Sequence, residues 1–332
     1  MRIYFENTES RNGGFSILSA GIRKALVSAG HTLVEDNPEV CLTYGIPDRA
    51  ESARAKFPNV PLIYYTVWES SMYPEAYFKS IEKSHPDLVL TATEFTKWSL
   101  SRGGVKAEVW HHGIDDRWRF KERKDDGIYT FVHWNAYEWR KGWEIVLGAF
   151  LEEFGENEPV KLILKARERD NADYLLPVGV DKNGSLPFTN VEEVLGHISD
   201  EAMVELMERV DCGVFPVKGE GWFLPATECV AQGIPVIMPN YCSMSEQWGS
   251  GYLDCGIDGY ICASPRYPGY MIQPSLKGVR EKMRYCFENE KEVRELARKG
   301  SKEVYNKYNW SRIINDLEAY IILAKKNYVS SK

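Results

Sequence analysis

Residues 219–237 read GEGWFLPATECVAQGIPVI, with a glycine-rich turn before Pro225 and a second turn before an apolar stretch. The chain turns at Gly221 and Pro225 and then enters a short predicted helix, after which Pro235 leads into a predicted strand. A loop that leads straight into a helix aims backbone N–H groups at one point, which is how helix N-termini hold phosphate. The segment therefore predicts a loop, a helix and a strand, with a phosphate site at the helix start.

Two carboxylates bracket this loop. Glu220 lies at its mouth, and Glu228 lies inside the predicted helix. Ionised carboxylates accept hydrogen bonds from hydroxyl groups without carrying a donor of their own. A pair of solvated surface charges is the simpler alternative, but charged residues in an apolar, proline-bounded segment are unusual. We therefore interpret the segment as a site for a nucleotide sugar.

The segment resembles the paired-glutamate motif of the retaining glycosyltransferases of family four. In that motif two glutamates flank a loop of glycine, an aromatic residue, glycine, leucine and proline, ahead of a helix that ends in Gly-x-Pro-Val. An ordered set of matches is more specific than one short motif. The resemblance extends over nearly the whole chain, in family order, at residues 12–14, 64–69, 91–95, 112–115, 140–143 and 216–237.

Strands and helices alternate along the chain, which indicates parallel, doubly wound sheets. The predicted strands lie at residues 2–5, 40–44, 62–66, 88–91, 129–133, 160–165, 212–216 and 235–239. The resemblance implies an α/β fold of GT-B architecture, in which two facing Rossmann-like domains enclose a cleft and a C-terminal helix crosses back to the first domain.

A charged, aperiodic stretch between Lys121 and Gly127 marks the predicted domain boundary. We accordingly expect an N-terminal acceptor-side domain at residues 1–124 and a nucleotide-sugar-binding domain at residues 125–305. The C-terminal helix is expected within residues 306–330, where six residues fall on one apolar face: Trp310, Ile313, Ile314, Leu317, Ile321 and Ala324.

The resemblance assigns catalytic roles to Glu220, Lys141 and Glu69. Lys141 would neutralise charge on the departing diphosphate, and Glu220 would hold hydroxyl groups of the transferred sugar. Glu69 follows a predicted strand and would face the transferred sugar or the acceptor; an ordinary ion pair with a nearby lysine or arginine is an equal alternative.

Further residues are expected to bind the donor. The resemblance assigns Glu228 to the ribose, the turn that contains Ile198 to the base, and the loop around Leu224 to the leaving group. The expected binding residues are Gly13, Gly14, Arg140, Lys141, Ile198, Trp222, Phe223, Leu224 and Glu228. For Gly13 and Gly14, a plain turn ahead of a helix is about as good an interpretation as contact with a ligand.

Three positions depart from the family pattern. Ala136 stands where many members carry an arginine or lysine at the diphosphate, and Arg140 is the candidate substitute. Phe223 replaces a glycine of the loop, so its side chain is expected to narrow the approach to the donor sugar. Tyr65 stands where some members have a histidine. The donor therefore stays open between UDP-linked and GDP-linked sugars.

The expected reaction is retaining transfer of a hexose from a nucleoside-diphosphate sugar to an acceptor hydroxyl. The resemblance also implies that the reaction needs neither a metal ion held by protein carboxylates nor any other cofactor, and the absence of an Asp-x-Asp motif after a predicted strand fits this expectation. The acceptor could be a glycan, a lipid, a protein or a nucleobase.

Composition narrows the class of protein. The chain has 332 residues, of which 44% are apolar and 27% charged, as is typical of globular enzymes of this length. No apolar run approaches the length of a membrane span and no signal peptide is evident, so we expect a cytoplasmic protein with no integral membrane segment. The net charge of −7 argues against general nucleic-acid binding, although residues 117–124 form a short basic strip.

Three alternatives remain at this stage. An enzyme of the same fold could act on a modified base in DNA or RNA, for which Trp110, Trp118 and the basic strip give weak support. Ala136 and Phe223 would also suit a catalytically silent nucleotide-sugar-binding module. The third alternative is an inverting transferase or an epimerase of the same fold.

Overall fold

A parallel sheet of six strands forms the first half of the chain. A computed structural model describes residues 1–6, 14–123, 126–167, 186–262 and 266–330. The strand order in this sheet is β2-β1-β3-β4-β5-β6, and every neighbouring pair is parallel. Its elements are β1 (Arg2–Phe5), α1 (Gly14–Ser28), β2 (Thr32–Leu33), β3 (Val40–Tyr44), α2 (Asp48–Lys56), β4 (Leu62–Thr66), α3 (Glu75–Ser84), β5 (Leu88–Thr91), α4 (Glu94–Ser101) and β6 (Glu108–Val109).

The second half forms another six-stranded parallel sheet, with strand order β12-β11-β10-β7-β8-β9. Its strands are β7 (Tyr129–Trp134), β8 (Val160–Lys165), β9 (Val191–Val194), β10 (Cys212–Val214), β11 (Val236–Met238) and β12 (Tyr252–Asp254). The helices of this half are α5 (Trp143–Glu153), α6 (Asp200–Met207), α7 (Leu224–Ala231), α8 (Leu276–Glu288) and α9 (Glu290–Tyr308). An antiparallel hairpin of β13 (Ile257–Cys262) and β14 (Tyr270–Pro274) lies outside the sheet.

The C-terminal helix α10 (Trp310–Ser330) returns to the first sheet. Trp110 donates its Nε1–H to the carbonyl of Ile313 at 2.9 Å, and Tyr320 donates its hydroxyl to the carbonyl of Val109 at 2.8 Å. The apolar face predicted for this helix is buried, apart from the half-buried Trp310. The α/β fold with two facing parallel sheets and a helix that crosses back is therefore confirmed.

One apolar core joins the two sheets. It includes Ile3 and Leu90 of the first sheet together with Val132 and Val236 of the second. Strands buried on both faces are the expected result when helices cover a parallel sheet on both sides, and this accounts for the unbroken apolar runs in the sequence.

Candidate active site

The site lies where the connections of the second sheet change direction. From β7 the chain proceeds to β8 and β9 on one side, and it then returns to β10, β11 and β12 on the other. In open α/β sheets a ligand crevice forms beyond the carboxyl ends of the two strands at such a switch point. The residues that follow β7 and β10 are therefore the first candidates for a ligand site.

A short 3₁₀ turn, Trp139–Lys141, brings two cations to this point. The carbonyl of Arg140 accepts a hydrogen bond from the backbone N–H of Lys218 at 2.8 Å. This bond connects the segment after β7 to the segment after β10. Gly142 has φ +70°, and a Cβ there would lie 2.1 Å from the carbonyl oxygen of Pro216. The approach of the two segments therefore requires glycine at this position.

Glu220 binds both cations through one oxygen. Its Oε1 lies 2.7 Å from Nη1 of Arg140 and 2.6 Å from Nζ of Lys141, and all three side chains are largely buried. Burial and the charge of Arg140 lower the pKa of Lys141, whereas Glu220 opposes this shift. Burial disfavours the charged form of Arg140, but Glu220 and Glu69 raise its pKa. The group is a buried cluster of two cations and one carboxylate.

Glu69 faces this cluster from the first sheet. Its Oε1 lies 3.7 Å from Nη2 of Arg140, and burial raises its pKa while the charge of Arg140 lowers it. A Cβ on Gly219 would lie 2.2 Å from the carbonyl oxygen of Glu69, so the loop is pressed against the segment after β4. The structure thus brings together the three residues expected to be catalytic, Glu69, Lys141 and Glu220, and adds Arg140 to them.

The start of helix α7 is held by a side chain that the sequence did not indicate. Gln247 accepts the N–H of Phe223 at 3.1 Å and donates to its carbonyl at 3.0 Å. The buried ring of Phe223 packs edge-on against Phe215 and lies 5.7 Å from Nζ of Lys141. Leu224 is half-buried beside it. The ring of Phe223 therefore lies next to the ammonium group of Lys141, and its effect on the donor sugar stays a prediction.

Trp222 lies on the first-sheet side of the loop. Its ring contacts the rings of His111, His112 and Tyr308, at centroid distances of 5.3, 5.6 and 4.9 Å. His111, His112 and Tyr308 were not among the expected site residues.

Glu228 contacts a different set of side chains from those that bind Glu220. Burial raises its pKa to about 8, and the neighbouring Arg117 partly opposes the shift. Its carboxyl accepts a hydrogen bond from the side chain of Trp118, whose ring stacks on Trp134 at 6.2 Å. Glu228 therefore lies beside the aromatic pair next to β7, and its assignment to a ribose stays a prediction.

The remaining expected binding residues are Ile198, Gly14 and Gly13. Ile198 is half-buried against the core and follows Gly196, whose carbonyl accepts a hydrogen bond from Nζ of Lys165 at 2.7 Å. Gly14 begins helix α1, and a Cβ there would meet no described atom within 4 Å. Gly13 lies outside the described residues.

His133, at the carboxyl end of β7, was missed by sequence reasoning. Its Nδ1 donates to the carbonyl of Val214 at 2.7 Å, which leaves Nε2 as a lone-pair acceptor with no partner among the described residues. Burial lowers its pKa to about 4, so the ring is neutral near pH 7. A histidine in the otherwise apolar run Phe131-Val132-His133-Trp134 was the available signal.

The basic strip is neutralised by carboxylates. Arg117 pairs with Asp115 and Asp200, Arg119 with Asp116, Lys121 with Glu208, and Arg123 with Asp211. Lys124 lies outside the described residues. These ion pairs favour the interpretation of the strip as part of the connection between the sheets.

The described residues contain no group of three or more histidine, cysteine, aspartate or glutamate side chains placed to hold a metal ion. No helix in the described part of the chain is long and apolar enough to cross a membrane.

Comparison with known proteins supports the architecture. No protein-family model matches the chain, and no curated protein matches it. Among solved structures, the chain is similar to HepE of Anabaena in complex with UDP and glucose, at 11% identity and a TM-score of 0.72 over 96% of this chain and 98% of that one.

Two further solved structures are similar. Sucrose-phosphate synthase of Thermosynechococcus elongatus matches at 13% identity and a TM-score of 0.74, over 97% of this chain and 99% of that one. The trehalose-6-phosphate synthase OtsA matches at 14% identity and a TM-score of 0.63, over 93% of this chain and 76% of that one. At such identities the matches show the fold, which is the GT-B arrangement of two facing Rossmann-like halves.

Proposed function

We propose that the chain is a retaining glycosyltransferase that moves a hexose from a UDP- or GDP-linked sugar to an acceptor hydroxyl, without a protein-held metal ion, in the cytoplasm. The observation that carries the proposal is the convergence of Arg140 and Lys141 on Glu220 at the switch point between β7 and β10. Paired cations at that edge are suited to a diphosphate. HepE, which has a similar fold, was solved with UDP-glucose bound.

The diphosphate would bind to the cations that now hold Glu220. Arg140 and Lys141 are desolvated, and charge–charge interactions are stronger in such surroundings than in water. As the bond to the sugar breaks, negative charge grows on the leaving phosphate, and the two cations stabilise it. The N–H groups at the start of α7, which Gln247 holds in place, would support the same oxygens.

The sugar would lie between the two carboxylates. Once phosphate takes over the cations, Glu220 is released to accept hydrogen bonds from hydroxyl groups of the hexose. Glu69, on the opposite wall, would orient the acceptor hydroxyl near the anomeric carbon, which lowers the entropic part of the barrier. In retaining transfer the new bond to the acceptor oxygen forms on the face that the diphosphate leaves, and the hydroxyl proton passes to the leaving group.

The nucleoside would extend toward Glu228 and Ile198. With a pKa of about 8, the carboxyl of Glu228 is protonated near pH 7 and can both donate to and accept from ribose hydroxyls. The turn at Ile198 would contact the base, and Gly14 would leave space for a ligand near the start of α1.

Binding and product analysis test the proposal. We expect UDP or GDP, at about a hundred times its dissociation constant, to stabilise the protein by about 2.7 kcal/mol, and we expect this effect to persist in EDTA. Incubation with the matching sugar nucleotide and acceptor sugars should give a product whose anomeric configuration by NMR equals that of the donor. Absence of stabilisation by both nucleotides would refute the proposal, and an inverted product would refute retention.

A further inference from the structure

His112 is a buried side chain with unused hydrogen-bonding capacity. It follows β6 and is 4% exposed, and neither ring nitrogen has a hydrogen-bond partner among the described residues. Burial, with a smaller contribution from His111, holds the pKa of His112 well below its ordinary value, so the ring is neutral near pH 7. A neutral imidazole offers one donor and one acceptor, and leaving either of them unbonded in the interior is unfavourable.

A second unbonded donor lies next to it. Trp222 is 6% exposed, and its Nε1–H also has no partner among the described residues. The two rings are 5.6 Å apart between centroids, although His112 belongs to the first sheet and Trp222 to the loop after β10. Unpaired buried polar groups are rare in proteins, and two in contact across the interface of the sheets indicate a missing partner.

Aromatic rings surround these groups. Tyr65 and Tyr44 lie edge-on to His112, at centroid distances of 5.7 and 6.2 Å. Tyr44 also packs on Tyr65, at a centroid distance of 5.0 Å, so the aromatic wall spans two neighbouring strands. Apolar faces beside a few polar groups suit a ligand with C–H faces and hydroxyl groups, as in a sugar ring.

We propose that His112 and Trp222 form the acceptor subsite, in which a sugar ring of the acceptor bonds through its hydroxyl groups to the imidazole of His112 and the indole N–H of Trp222. This inference rests on the proposed function and adds to it the class of acceptor, a pyranose sugar. The occupant is the acceptor and not the donor, because His112, Tyr44 and Tyr65 belong to the first half of the chain, whereas both cations for the diphosphate belong to the second half. In this structure the two rings contact each other, so a sugar ring enters between them only when the two sheets move apart.

The test separates hydrogen bonding from packing. His112→Phe removes both nitrogens and keeps a ring of similar size, and Trp222→Phe removes the N–H and keeps an aromatic face. Trp248→Phe is the matched control, because Trp248 is a half-buried tryptophan that packs on Tyr252. Methyl glycosides of glucose, galactose and mannose are titrated into protein saturated with UDP or GDP, and the ring nitrogens of His112 are followed by ¹⁵N NMR.

We expect at least one glycoside to bind and to shift the His112 nitrogen signals. Trp222→Phe should weaken that binding by about threefold to tenfold, and His112→Phe by about tenfold or more. His112→Phe should meanwhile unfold at the same temperature as the parent or higher, because it removes unsatisfied polar atoms from the interior. The control should bind as the parent does.

Several results would overturn the subsite. It is refuted if the parent binds nucleotide but none of the glycosides, or if a glycoside binds equally to the parent and to Trp222→Phe. If His112→Phe does not fold, the comparison of glycoside binding between the parent and Trp222→Phe is the test of the subsite. Failure of the parent to bind any nucleotide would instead refute the proposed function.

Discussion

At the scale of single residues, the balance of charge around Glu220 governs the site. Its Oε1 lies 2.7 Å from Nη1 of Arg140 and 2.6 Å from Nζ of Lys141. A buried charge is tolerated only when it is paired, so the consequences of removing a partner depend on what remains. Arg140 also bonds to the carbonyl of Gly219, at 2.7 Å, and pairs with Glu69, whereas Lys141 bonds to Glu220 alone among the contacts of its ammonium group with described residues. Arg140 therefore supports the loop in addition to pairing with Glu220.

Replacing Lys141 by alanine should lower kcat by about two to three orders of magnitude while changing KM less. Charge on the leaving diphosphate grows in the transition state, so the lost interaction is stronger there than in the ground state. Initial rates over a series of donor concentrations give both constants. Lys161→Ala, which removes a lysine paired with Glu192 on the neighbouring strands, is the control. Equal turnover in Lys141→Ala and the parent would exclude Lys141 from the mechanism.

Glu228 should make stability depend on pH in a defined direction. Burial raises its folded pKa to about 8, from an ordinary value of 4.5. Between these values the unfolded chain releases a proton that the folded chain retains, so rising pH favours unfolding, and the effect is complete above about pH 8. Glu228→Gln does not titrate, so the free energy of unfolding of the parent should fall relative to this variant by up to about 1.4 kcal/mol per pH unit.

Denaturant unfolding at pH 5, 6.5 and 8 measures this difference. Glu208→Gln, at an exposed position, controls for the general effect of removing a carboxylate. Parallel pH profiles for the parent and Glu228→Gln would mean that Glu228 is ionised in the folded protein.

At the scale of elements, helix α7 depends on a clamp from another segment. The helix has a proline in its first turn and no side-chain cap of its own. Gln247, from the 3₁₀ turn Cys242–Gln247, bonds to both backbone groups of Phe223 and donates to the hydroxyl of Thr227. The position of this helix start is therefore fixed by a residue that lies 24 positions away from Phe223.

Gln247→Leu should destabilise the fold by about 1–3 kcal/mol and weaken UDP or GDP binding. The change leaves the N–H and carbonyl of Phe223 unbonded in the interior, and the helix start loses its fixed orientation toward the phosphate. Thermal unfolding and calorimetric titration give the two quantities. Gln273→Leu is the control, because among the described residues the side chain of Gln273 bonds only to the neighbouring carbonyl of Pro274 in the hairpin. Unchanged nucleotide affinity would show that the clamp does not support the phosphate site.

At the scale of the whole molecule, a carboxylate from one half caps a helix of the other. Glu246 accepts the N–H of Glu94 at 2.8 Å and that of Phe95 at 2.9 Å, at the start of α4. Burial raises the pKa of Glu246, and these two hydrogen bonds oppose the shift. The hydroxyl of Tyr308 donates to the carbonyl of Glu246 at 3.1 Å, so α9 is part of the same contact. This contact holds the two sheets close together.

Glu246→Ala should open the nucleotide-free protein. The helix start loses the charge that favours it, a contribution of about 0.3–1 kcal/mol that rises toward 2 kcal/mol in partly buried positions. Small-angle scattering should show a larger radius of gyration for the variant, which bound nucleotide should reduce. Glu295→Ala, an exposed change on α9, is the control. Identical scattering from parent and variant would mean that other contacts maintain the closed arrangement.

The sequence by itself determined the local elements and pointed to the residues of the candidate site. Strands such as Val40–Tyr44 and Leu62–Thr66 match their predicted bounds because short, mostly apolar runs are a local property of the chain. The two glutamates and the helix start within residues 219–237 were recognisable because turn residues and carboxylates in an apolar context are also local signals, whereas the role of Lys141 was expected only from the family resemblance.

Tertiary structure alone decided which residues meet. The two-residue strands β2 and β6 have no periodicity to detect, and pairing with longer neighbours creates them. Arg140 is joined to Glu220 across 80 positions, and Trp222 faces His112 instead of Lys141. Such contacts depend on strand order and on how closely the two sheets approach, and these follow from the packing of the whole core. A single sequence records the residues available for a contact, but the geometry that pairs them arises only when distant segments pack together.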